Sequence, residues 1–241
     1  MRESLNRIWP KPERYFPQLL RWMPRTQPLV GYVHAANFLG QPKSASELSR
    51  CFQRLLLFGE GGSGKSMALY RLFHEAEQPI LAYEKKSPLP IYLELADLSG
   101  SKDLFELLSA EYDRDLFTSD LEEGRFLFLF DGLDGLSALG AVRRTDALNH
   151  FMRRYPLNRF VVSTRRPSPR AVEIPNWVEM LPFAEWEAMD FLMDHGGIRA
   201  ESAKILYVQL ARTLGARAGN PQLLAFARRS PKRSPFAAPS P

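Results

Sequence analysis

The sequence predicts an α/β protein, a parallel sheet of about five strands flanked by helices, with a small helical subdomain after it. Three observations carry that expectation. The stretch GEGGSGKS at residues 59–66 stands between a strand-length apolar run, RLLLF, and a segment with helical apolar periodicity. Apolar runs then alternate with helical patterns as far as residue 181, the arrangement of a parallel sheet covered on both faces. From Pro182 onward only helical patterns remain.

Taken in order, residues 1–52 read as an arm ending in a lead-in helix over 44–52. Prolines at 10, 12, 17, 24 and 28 interrupt any long helix there, while Trp9, Tyr15, Phe16, Trp22, Tyr32 and Phe38 want burial. The arm either packs on the core or docks a partner. Residues 53–181 form the expected core. Its first strand is 54–58. Leu69, Leu72, Phe73 and Ala76 then recur at i, i+3, i+4 and i+7 along one helix face. Strands follow at 91–95 (IYLEL), 125–130 (RFLFLF), 159–163 (RFVVS) and, more weakly, 177–181. The third is an uninterrupted apolar run of the kind buried on both faces. Helices are expected over 102–112 and 139–155, the latter carrying Arg143, Arg144, Arg153 and Arg154 on its solvated side. Residues 182–228 should give three helices, at 185–195, 200–214 and 221–228. The basic tail 229–241 has no pattern that could bury a core and reads as disordered.

Composition narrows the function classes. The net charge is +5, from 32 basic and 27 acidic residues, too small by itself to argue nucleic-acid binding. A single cysteine, Cys51, excludes an internal disulfide framework and suits a reducing compartment. No apolar stretch is long enough for a signal peptide or a bilayer span, so a soluble, cytoplasmic protein is expected.

The chemistry concentrates at residues 59–66, which match G-x-x-x-x-G-K-[ST], the phosphate-binding loop. Glycines at 59, 61, 62 and 64 let the backbone turn tightly and aim N–H groups at an anion. A helix starting at the loop's end adds the positive end of its dipole. The expected nucleotide-binding residues are Gly59, Glu60, Gly61, Gly62, Ser63, Gly64, Lys65, Ser66 and Met67, with Lys65 on the β- and γ-phosphates. The strand RFLFLF delivers Asp131 at its C-terminal end, which suits a Mg2+ ion held together with the Ser66 hydroxyl. Asp134 either polarises the attacking water or shapes the loop. Beyond the fourth strand, Arg165 and Arg166 are either γ-phosphate cations or surface arginines.

GEGGSGKS, FLFLFDGLD, VVSTRRP and GNPQLLAF, in this order and spacing, resemble the NACHT branch of the signal-transduction ATPases with numerous domains, an AAA+-related group of P-loop NTPases. The resemblance covers roughly residues 53–228. It implies a sheet order of 5-1-4-3-2 and a helical lid over the nucleotide. It gives Lys65 and Ser66 the phosphate and Mg2+ roles, Asp131 the metal role, Arg165 the sensor role and Pro221 a place near the adenine. Gly135 stands where the family commonly has an acidic residue, which implies slow hydrolysis. Family members usually continue into a winged-helix domain and a repeat-built sensor. The sequence therefore reads as a fragment, a truncated frame or a minimal member.

The expected function is an ATP- or GTP-binding signalling switch, with ATP/ADP and Mg2+ as cofactors. Self-association in the ATP state and sensor or effector proteins are the expected partners, with no membrane and no nucleic acid. Two alternatives stand beside it: a P-loop ATPase acting on nucleic acid, and a nucleotide-binding scaffold that does not hydrolyse.

Overall fold

The computed structural model describes residues 20–24, 49–81, 87–97, 104–110, 112–134, 138–166, 172–194 and 197–229. The expected helix at 44–52 is described only at 49–52 and is helical at 49–51, and the expected disordered tail lies outside the described residues apart from Arg229, which closes the last helix. Two compact units emerge. One comprises residues 20–59 and 65–179; Glu60–Gly64 and the residues from Met180 onward belong to the other.

The first unit is built on a sheet whose strands are β1 (Leu20–Pro24), β2 (Arg54–Phe58), β3 (Leu89–Glu94), β4 (Phe126–Asp131), β5 (Arg159–Thr164) and β6 (Asn176–Met180). Their order is β1-β6-β2-β5-β4-β3. The five expected strands take the expected order, and all their pairings are parallel. A sixth strand, β1, extends the sheet beyond β6. It ends in Pro24, which an edge strand tolerates because no inner ladder needs its missing N–H.

β4 lies between β3 and β5, and its apolar run is buried along its whole length. Phe128 stacks on Phe130 and Phe160, and Phe151 meets it edge-on. Helix α1 (Lys65–Leu81) buries Ala68, Leu69, Tyr70 and Leu72, a wider stripe than the periodicity alone indicates. Helices α2 (Leu104–Ser109), α3 (Arg114–Glu122) and α4 (Ala138–Arg154) share one cluster with β4, through Leu104, Phe117, Leu121, Leu148 and Phe151.

Two expectations are corrected here. The helix expected over 102–112 is the shorter α2, and a further helix, α3, follows it. Asp113 starts the second, because its carboxylate accepts from the N–H groups of Asp115 and Leu116, both at 3.1 Å. Arg144 is not on a solvated side: it is only 5% exposed. It lies on the helix face of Leu148, Phe151 and Tyr155, four, seven and eleven residues on, all buried. Arg153 and Arg154 are exposed as expected.

The second unit holds α5 (Glu185–Asp194), α6 (Ala200–Leu214), a 3-10 turn (Gly215–Gly219) and α7 (Pro221–Arg229). Their core is Phe183, Ala188, Leu192, Ala203, Leu210, Ala218 and Leu224. Glu187 reaches back to the N–H of Ala184 at 2.8 Å and so satisfies an orphan donor at the start of α5. Gly219 is required by close approach: a Cβ there would fall on the backbone carbonyl of Phe183, whose own N–H donates to Gly219 O at 2.8 Å.

Candidate functional site

Parallel register brings the C-terminal ends of the central strands to one edge, the edge where open α/β sheets place their ligands. Phe58 pairs with Thr164, and Glu94 with Asp131. Because Phe130 pairs with Val162, the next residues, Asp131 and Ser163, come side by side.

At the end of β2 the chain turns through residues 59–64 and enters α1 at Lys65. The Ser63 N–H donates to Glu60 O at 3.2 Å, closing a tight turn. Gly62 and Gly64 have φ of 76° and 94°, backbone that side chains with a Cβ rarely adopt. Lys65 Nζ donates to the carbonyl of Gly59 at 2.8 Å, which ties the ammonium to the loop's first residue.

Burial pushes the Lys65 ammonium below the ordinary lysine range. The carboxylates of Asp134 and Asp131 oppose that shift, while Arg165 adds to it. An anion favours the charged lysine, so binding raises its pKa and takes up a proton wherever the free protein has begun to lose one. Affinity for a nucleotide should therefore be highest below the lowered lysine pKa and fall as pH rises through it. Titration calorimetry at alkaline pH, in two buffers of different ionisation enthalpy, checks this. Binding with no proton uptake there would contradict it.

Asp131 is held from two sides. The Ser163 hydroxyl donates to its Oδ1 and the Tyr92 hydroxyl to its Oδ2, the latter at 2.9 Å. Ser163 Oγ in turn accepts from the N–H of Gly132 at 2.9 Å. Three strand ends thus fix one carboxylate. Asp134 turns toward the end of β5. Its Oδ1 accepts from the Arg165 N–H at 2.9 Å and lies 3.3 Å from Thr164 Oγ1, while its Oδ2 is 3.7 Å from Arg165 Nε. Arg165 and Arg166 are both exposed.

Lys65, Asp131, Asp134 and Arg165 are therefore one electrostatic cluster. Ser66 and Met67 lie in the first turn of α1, both half-buried. Pro221 is the first residue of α7, where its missing N–H costs no helical bond. The loop residues Glu60–Gly64 belong to the same unit as that helix. Asn220 Nδ2 donates to Gly61 O at 3.0 Å, and Arg217 Nη2 lies 3.1 Å from Glu60 Oε1.

Tyr92, Ser163 and Asn220 escape a reading of the sequence alone. Asn220 stands inside GNPQLLAF, but the resemblance gives a role only to its neighbour Pro221. Tyr92 and Ser163 reach Asp131 through strand register, which no single segment encodes.

The donor set suits a hard cation: a hydroxyl at Ser66 and a carboxylate at Asp131, each oxygen of which keeps a lone pair beyond the hydroxyl it accepts. Among the described residues no group of three or more His, Cys, Asp or Glu could cage a metal by itself. Mg2+ needs no such cage, since it is commonly held by one or two protein oxygens together with phosphates. No described helix is long and apolar enough to cross a membrane.

A family model for the NACHT domain matches residues 53–196. No curated protein matches in sequence. Among solved structures, a replication initiator DnaA bound to AMPPCP and single-stranded DNA is similar at 14% identity and a TM-score of 0.50, over 78% of this chain and 59% of that one. A signal transduction ATPase with numerous domains and a tetratricopeptide repeat sensor, from Pyrococcus horikoshii, is similar at 14% identity and a TM-score of 0.43, over 83% and 30%. The chain thus spans about three-fifths of the DnaA chain and a smaller part of the second.

Proposed function

The chain belongs to the NACHT family and is a nucleotide-binding P-loop NTPase; from that premise we propose that it is a Mg2+-dependent switch with slow hydrolysis. Lys65 binds the β- and γ-phosphates, and Ser66 and Asp131 would hold the Mg2+. That ion would neutralise charge developing on the transferred phosphoryl group. Asp134 orients the attacking water, and Arg165 reads the γ-phosphate. Self-association in the ATP state and protein partners for sensing and output belong to the same reading.

One observation carries the switch: Asp134 and Arg165 hold each other at the strand ends, beside Lys65. The pair is 3.7 Å apart and its arginine side chain is 71% exposed, so it is a weak, exchangeable contact. A γ-phosphate offers Arg165 a stronger acceptor and would free Asp134 Oδ2 for water, while Oδ1 stays on the Arg165 backbone N–H. ADP offers no such acceptor.

Arg165→Ala should therefore cut the preference for ATP over ADP by about tenfold, the worth of one bond to a charged group. Arg166→Ala should do less. Equilibrium titrations with both nucleotides check the ranking, and the reverse order would put the sensor role on the wrong arginine. The likeness to DnaA supports a second reading, an ATPase acting on nucleic acid. Steeply salt-dependent binding of single-stranded DNA would favour that reading over the switch.

A further inference from the structure

We propose that Asn220 is a positioning residue for the nucleotide's phosphates, acting through the loop peptide between Gly61 and Gly62. The proposal rests on the nucleotide reading above.

Asn220 is 7% exposed, and the two ends of its amide do separate jobs. Oδ1 accepts from the N–H groups of Gln222 at 3.0 Å and Leu223 at 3.3 Å, capping α7. Nδ2 donates to the carbonyl of Gly61 at 3.0 Å. A trans peptide is planar, with its C=O and N–H pointing in opposite directions. Holding the Gly61 carbonyl toward α7 therefore aims the Gly62 N–H away from it. N–H groups aimed in common are what a phosphate-binding loop requires.

The loop backs directly onto the start of α7. A Cβ on Gly62 would lie 2.6 Å from Gln222 Cβ and 2.9 Å from Asn220 Oδ1, and would also strike Gln222 Oε1. The Gln222 N–H reaches Gly62 O only at 3.4 Å, and the Arg217–Glu60 pair is exposed on both sides. The buried amide of Asn220 is the strongest of these three ties. Residue type discriminates here: Asp, Ser and Asn all cap a helix, but only Asn pairs the capping oxygen with an N–H donor at this reach.

Asn220→Asp and Asn220→Ser separate the two jobs in the 241-residue chain. Both keep an acceptor for α7, so the melting temperature should hold. Both should lose about tenfold in affinity for ADP, the worth of one oriented bond to a charged group. Inorganic pyrophosphate, competing against a fluorescent ADP analogue, should lose the same factor, while adenosine should lose none. The serine variant guards against charge repulsion by the aspartate as the cause. Wild-type affinity for ADP in both variants would overturn the proposal and leave the nucleotide site standing. An equal loss for adenosine, or a fall in melting temperature matching the loss of affinity, would overturn it in favour of a purely structural cap. Failure of the wild-type protein to bind ADP or pyrophosphate would remove the nucleotide reading and this proposal together.

Discussion

Lys65→Ala should lower nucleotide affinity on the order of a hundredfold, because the phosphates lose their closest cation and its charge-assisted bonds. The fold should survive. Lys65 opens α1, and alanine is the best helix former. Its ammonium is also held at an energetic disadvantage by burial, so removing it relieves a desolvation cost. Among the bonds it gives up is the one to the Gly59 carbonyl. A fluorescent ATP analogue titrated beside a thermal melt separates the two effects. Unchanged affinity with an unchanged melt would remove the phosphate role of the loop.

Asp131→Asn should leave nucleotide binding measurable and lower turnover by about a hundredfold, since a metal supplies several kcal/mol of charge stabilisation to phosphoryl transfer. The substitution fits the site as built. An asparagine can keep its oxygen toward Ser163, and its amide can donate to the Tyr92 oxygen, because a phenol both donates and accepts. The Ser163 hydroxyl keeps its acceptor, and the Tyr92 oxygen gains a donor. The change therefore removes charge without opening the end of β4, and the Mg2+-dependent part of binding should weaken more than the metal-free part. Turnover at the wild-type rate would mean that Asp131 only shapes the turn before Gly132.

How much of this was legible follows from how local each signal is. The phosphate loop and the Asp131 strand are short contiguous patterns, and both stand where the sequence places them. α3 depends on the capping carboxylate of Asp113, a single residue just past what reads as the end of another helix. Arg144 misleads because a charge reads as solvated, although its spacing to Leu148 and Phe151 follows the buried face. β1 lies among prolines and aromatic residues, and only its neighbour β6 makes it a strand. Tyr92, Ser163 and Asn220 meet their targets across 39, 32 and 159 residues of chain. Contacts at that separation are products of register and packing, which residue patterns do not carry.

Phosphate release from ATP in a single turnover, with and without Mg2+, tests the central claim most directly. The account predicts saturable ATP binding, then slow release of one phosphate that requires Mg2+ and is suppressed in Asp131→Asn. ATP recovered intact from the wild-type protein with Mg2+, or release at the same rate without the metal, would contradict it.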